Sequence, residues 1–236
     1  MHRKTTLAAI ALALLGIGGG FAVAESVNGG SMQQAADHSG TGVDFARVVQ
    51  QSGATQAEID RVDRLVQPVR LVVDGHRIPN YGIAMGILMK RRYFDLDTDA
   101  GVRSAMIGTM SGLALDSALY HSAQVDGITG PSGAEVKKAA DDQTALAVRA
   151  KHSPFANQKA ADQYYHSANF ARAYVRDVII KLEREKITHT GDFLTQAQSL
   201  RAHGVMLAWA LKVFPTRVTV SGAMGISAHD LATVVS

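Results

Sequence analysis

The stretch Val69-Arg70-Leu71-Val72-Val73-Asp74-Gly75-His76-Arg77-Ile78-Pro79 restricts the fold of this chain more than any other. A β-branched run, an Asp-Gly pair and a short return strand are the signal of a tight β-hairpin. A two-stranded hairpin is marginal in water, so it must pack on helices or recruit a third strand.

Its surroundings read as helices. Thr55-Gln56-Ala57-Glu58 is a capping box, and Ile59, Val62, Leu65 and Val66 then share one face up to Pro68. Asn80 is placed to cap a helix from Tyr81 to Phe94 that carries Met85 and Met89. A long helix is predicted over Gly101–Val125, lined by Val102, Met106, Met110 and Leu113. Gly108 and Gly112, with Ser104 one turn earlier, predict close approach of another helix there. Gly127 stops this helix, and Ser132-Gly133-Ala134-Glu135 opens the next, Val136 to Lys151, before Pro154.

Phe170, Tyr174, Val178 and Leu182 recur at four-residue steps on the most amphipathic segment, Asn169 to Leu182. A further helix is predicted from Asp192 to Val213 and holds the single tryptophan, Trp209. Beyond Pro215, Arg217-Val218-Thr219-Val220 alternates like a strand. The final segment, 223–236, reads as a short helix capped at Ser227 or as a loose tail. Aromatic content of only 6%, with alanine, leucine, valine and methionine dominant, suits a mainly α fold with a small β-hairpin better than a β-sandwich.

The N-terminus, MHRKTTLAAIALALLGIGGGFAVAES, has the layout of a secretory signal peptide: a basic head, an apolar run and Ala22-Val23-Ala24 before Glu25. The expectation is cleavage after Ala24 and export to the periplasm. The alternative is an uncleaved helix anchored in the inner membrane. Residues 25–43, polar and glycine-rich, read as a flexible leader, and order is expected from about Asp44. Without Arg3 and Lys4 the chain carries 22 basic against 21 acidic residues, a balance that gives no reason to expect nucleic acid as a partner. The absence of cysteine excludes thiolate nucleophiles and thiolate metal sites.

Candidate chemistry centres on Phe94-Asp95-Leu96-Asp97-Thr98-Asp99-Ala100-Gly101. Asp95, Asp97 and Asp99 match the first three ligand positions of a calcium loop, but Ala100 stands where a glycine is needed and Met106 where a bidentate glutamate is. The stretch reads best as an interhelical loop with capping residues. No histidine pair has helical zinc-site spacing, and neither Ser111 nor Ser221 lies in a nucleophile elbow. No cofactor and no metal are expected. Met85 with Met89, and Met106 with Met110, each lie one turn apart, a pattern that serves either core packing or an adaptable binding surface.

Several weak motifs in order carry a resemblance. Val73-Asp74-Gly75-His76-Arg77-Ile78 matches the V-x-G-x-x-I hairpin of the SurA/PrsA/PpiD N-terminal chaperone module, a relative of the peptide-binding part of trigger factor. Ala123 to Ile128 matches its Ala-x-x-x-Gly-Ile helix end, Ser132 to Val136 its Ser-x-x-Glu-Val helix start, and Tyr174 to Leu182 a later helix. The resemblance covers Val69 to Ile187, with one extra residue in the linker Thr129-Gly130-Pro131.

It implies a SurA-N-like helical domain over 44–222 whose hairpin is completed by the C-terminal strand. About fifty residues remain where the family's parvulin domain would follow, so a module without isomerase activity is expected. The resemblance further implies binding of unfolded or extended polypeptides in an apolar groove, for which Met85, Met89, Met106, Met110, Tyr120, Phe170 and Tyr174 are the candidate lining residues. A homodimer is compatible with it. Two other functions fit the sequence: a dedicated partner-binding or immunity-type module on the same scaffold, and a metal-dependent enzyme using Asp95, Asp97 and Asp99.

Overall fold

The computed structural model describes residues 52–150, 153, 155, 157–191 and 194–235; the expected signal peptide and leader lie outside them. In chain order the elements are α1 (Gln56–Val66), β1 (Arg70–Val73), β2 (His76–Ile78), α2 (Asn80–Met89), α3 (Asp99–Val125), α4 (Gly133–Arg149), α5 (Gln158–Tyr165), α6 (Ala168–Thr188), α7 (Gln196–Arg217), β3 (Val218–Ser221) and α8 (Ala228–Thr233). The fold is mainly α with one small antiparallel sheet.

The hairpin forms as its sequence demands. Asp74 and Gly75 have φ of 51° and 81°, the pair of positive values that a two-residue turn between twisted strands requires. β3 joins the other edge of β1, so the sheet order is β2-β1-β3. Leu71 lies opposite Ile78 on one side and Val220 on the other, and Val73 lies opposite His76 and Val218. Leu71, Val73, Ile78 and Val218 are buried, so one face of the sheet seals the helices.

Recruiting β3 gives the central strand a partner on both sides. A clamp holds this junction. Arg217 donates from Nε and Nη2 to both carboxylate oxygens of Asp74, each at 2.6 Å, and from Nη2 to the Ala118 carbonyl at 3.1 Å. One side chain thus ties the hairpin turn, the end of α7 and the C-terminal third of α3.

Two cores result. The larger is built from α1, the sheet, α2, α3, α7 and α8, with Leu71, Ile83, Ile87, Met106, Met110, Leu119, Phe214 and Leu231 fully enclosed. The smaller joins Ala140 and Ala147 of α4 to Phe155 and to Ala161, Tyr164 and Tyr165 of α5, with Phe170 of α6 against them. α6 serves both cores, through Phe170 at its start and Ile180 further along.

The structure departs from the sequence reading at several points. Asn80 does not cap α2. It sits in the first turn and donates instead to the Val66 and Gln67 carbonyls, closing the C-terminal end of α1. α2 ends at Met89 rather than Phe94. Close helix approach occurs at Gly86 of α2, where an added Cβ would lie 2.4 Å from Thr109 Cγ2. At Gly112 it would meet nothing within 4 Å.

α5 is a helix that the sequence pattern does not mark; Asn157 caps it by accepting from the Ala160 amide. α7 starts at Gln196, where Thr195 and Gln198 form a capping box, and it runs through Pro215 to Arg217. The helix survives that proline because it falls in the last turn, and the Val218 amide still reaches the Phe214 carbonyl. Beyond β3 the chain forms the capped helix at Ser227, with Leu231, Ala232 and Val235 buried in the main core.

Candidate functional site

The acidic loop resolves into architecture. The Asp97 amide donates to Asp95 Oδ1 at 3.1 Å, folding the loop on itself, and Thr98 caps α3 by accepting from the Gly101 amide at 3.1 Å. Asp99 faces α1, with Arg61 at 3.0 Å and Arg64 at 3.6 Å. Leu96 plugs the core between the acids. Gly101 is required by close approach, because a Cβ there would lie 1.7 Å from the Asp95 carbonyl oxygen. Among the described residues no group of three His, Cys, Asp or Glu side chains is placed to hold a metal.

The seven candidate groove residues do not line one groove. Met85, Met106 and Met110 are buried in the main core, where they offer no surface to a ligand. Met89, 46% exposed, stands at the end of α2. Tyr120 packs against the main core with the Arg176 guanidinium over its ring, 4.9 Å from the centroid. Phe170 joins Phe155, Tyr164 and Tyr165 of the smaller core in an aromatic cluster, and Tyr174 stacks on Phe170 at 6.1 Å at its margin.

Geometry explains why the four-residue stripe misled. Four residues turn an α-helix by about 400°, so each step advances about 40° around the axis. Phe170 therefore starts against the smaller core, while Leu182 has rotated out to solvent. The buried face of α6 runs instead through Ala173, Ile179, Ile180 and Glu183.

Where α3 meets α6, the interface is charged. Asp116 of α3 pairs with Arg184 at 3.3 Å, its side chain only 19% exposed. Lys186 bonds Asp126, and its Nζ lies 3.8 Å from the buried carboxylate of Glu183. Burial pushes the Asp116 carboxyl above its ordinary range against the pull of Arg184 and Arg176. Asp177 rises to about 6, first through burial and then through the neighbouring negative charge of Asp116, with Arg176 opposing. Burial first, and then the charge of Asp177, disfavours ionisation of Tyr164 in the smaller core. Asp116 thus ties α3 to α6 through Arg184, while Asp177 adds a like charge to the same seam.

The outward face of α7 is different in kind. Met206, Ala210 and Phe214 turn into the core. Ala197, Leu200, Gly204, Ala208 and Leu211 are all exposed and, at 100° per residue, fall within an arc of ~80° whose centre lies ~120° around the helix from that of the core residues. Leu200 is 66% exposed. An added Cβ at Gly204 would meet nothing within 4 Å. Val205 of α7, and Leu146 and Val148 of α4, add further exposed apolar side chains.

The signal for this face was present in the sequence: α7 carries apolar residues on two sides, whereas a helix lying on a single core needs only one. Among the described residues no helix is long and apolar enough to cross a membrane. No family model, no curated protein and no solved structure matches this chain.

Proposed function

We propose that this chain is an exported, chaperone-like protein that holds unfolded or extended polypeptide segments against an apolar surface of its helical scaffold. The observation that carries the reading is the outward apolar face of α7, presented by a helix whose other side is anchored in the main core. Covering a fully exposed leucine is worth roughly 1.5–3 kcal/mol, so a few such contacts support modest, broad affinity. The hairpin-plus-C-terminal-strand sheet is the arrangement that the SurA-like resemblance implies, and it supports the same reading. Export rests on the N-terminal sequence pattern alone.

The test dilutes an unfolded outer-membrane protein from denaturant and follows light scattering with and without a stoichiometric amount of the protein. Suppressed aggregation, weakened by Leu200→Asp, is expected. No suppression over a wide concentration range would leave a dedicated partner-binding module as the reading.

A further inference from the structure

We infer that the outward face of α7 is a docking surface for an acidic amphipathic segment of a partner polypeptide. The inference deepens the peptide-binding reading and rests on it, because it assigns a charge preference to the same surface. The helix α7 contains no acidic residue. Arg201 and Lys212 stand along one flank of the stripe formed by Ala197, Leu200, Gly204, Ala208 and Leu211, within ~20–40° of its edge. Both are exposed, and among the described residues no carboxylate pairs with either. His203, also exposed, lies toward the opposite flank. The surface therefore combines exposed leucines at its ends, small residues that permit close backbone approach at its centre, and a one-sided positive rim.

That rim decides between occupants. A second copy packed antiparallel about the midpoint of Gly204 and Ala208 would match the small residues well. Like flanks face each other in an antiparallel pair, however, so Arg201 of one copy would meet Lys212 of the other. Like charges so placed oppose association, whereas a segment with Asp or Glu beside its apolar stripe satisfies both groups.

The experiment uses the purified protein and two labelled amphipathic helical peptides with identical Leu/Ala faces, one flanked by Glu and the other by Lys. Fluorescence anisotropy should show the Glu peptide binding about tenfold more tightly at low salt, with the gap narrowing as salt rises. Leu200→Asp should abolish binding, and the double change Arg201→Glu, Lys212→Glu should invert the preference. Equal binding of the two peptides, or a preference that survives the charge reversal, overturns the inference. So does concentration-dependent self-association that Leu200→Asp removes, since the occupant would then be a second copy. Suppression of aggregation measured on the same proteins separates the two readings. If suppression persists without any charge preference, only the acidic-partner inference fails; if Glu-peptide binding appears without suppression, only the general-chaperone reading does.

Discussion

Replacing Asp177 with asparagine should make the protein more stable at neutral pH. Asp177 lies in the α3–α6 seam, where burial and the charge of Asp116 lift its carboxyl from 3.8 to about 6, with Arg176 pulling the other way. A carboxyl whose folded-state pKa exceeds its unfolded value favours folding while protonated. That contribution is fully present below 3.8 and is lost as pH rises through about 6. Roughly two pKa units at 1.36 kcal/mol each make the charged form cost about 3 kcal/mol at pH 8.

Asparagine keeps the size of the side chain and removes the charge. Asp177→Asn should therefore raise stability by up to about 3 kcal/mol at pH 8 and change it little at pH 4. The corresponding rise in melting temperature at pH 8 is about 6–9 °C for a chain of this size. The assay is thermal unfolding by circular dichroism at several pH values for both proteins. The parent should gain stability as pH falls from about 7 to about 4, and the variant should show a flatter profile over that window. A variant less stable than the parent at pH 8 would refute the reasoning, since it would mean that the pull of Arg176 outweighs burial and Asp116 together.

Arg91→Ala should cost about 3 kcal/mol in chemical denaturation, because it strips the partner from Glu58, a buried carboxylate held by Arg91 Nε at 2.7 Å. Burial alone would raise the Glu58 carboxyl, yet the Thr55 amide and Arg91 hold it below 4.5. Its stabilisation is thus present above 4.5 and lost as pH falls through the folded value, so the variant should differ least from the parent in acid. Gly101→Ala should cost about 3 kcal/mol or more by the same measurement, since the new Cβ must displace the Asp95 carbonyl, 1.7 Å away. Calcium at millimolar concentration should leave the melting temperature unchanged, because Asp99 is engaged by Arg61 and Arg64; a clear rise would restore the metal reading of the acidic loop.

What the sequence disclosed well was local. Thr55–Glu58 and Ser132–Glu135 form the reciprocal bonds that their spacing announces, and the Asp74–Gly75 turn has the backbone that such a pair selects. The third strand was legible for a related reason: a hairpin too small to persist alone needs an edge partner, and Val218–Val220 was the remaining alternating segment. Tertiary placement was not legible. Whether Met85 or Met89 faces a core depends on the axis angles between helices, and the two fall on opposite sides of that decision within a single turn. Gly108 and Gly112 had the spacing of a close-contact face, but Gly86 received the contact because Thr109 packs against it.

The same distinction bears on function. A core methionine and a binding methionine have identical sequence signatures, because both are apolar residues at helical spacing. A face becomes recognisable as a surface only when its helix already has another side committed to the interior. α7 satisfies that condition: Met206, Ala210 and Phe214, with Trp209 partly buried beside them, pack on the main core, whereas Leu200 is 66% exposed and is not needed to hold the fold. Replacing Leu200 by aspartate should accordingly leave the melting temperature nearly unchanged while removing peptide binding, whereas Phe214→Ala should cost about 3–5 kcal/mol. Substantial destabilisation by Leu200→Asp would mean that the outer stripe packs against the chain itself, and the surface reading would fall with it.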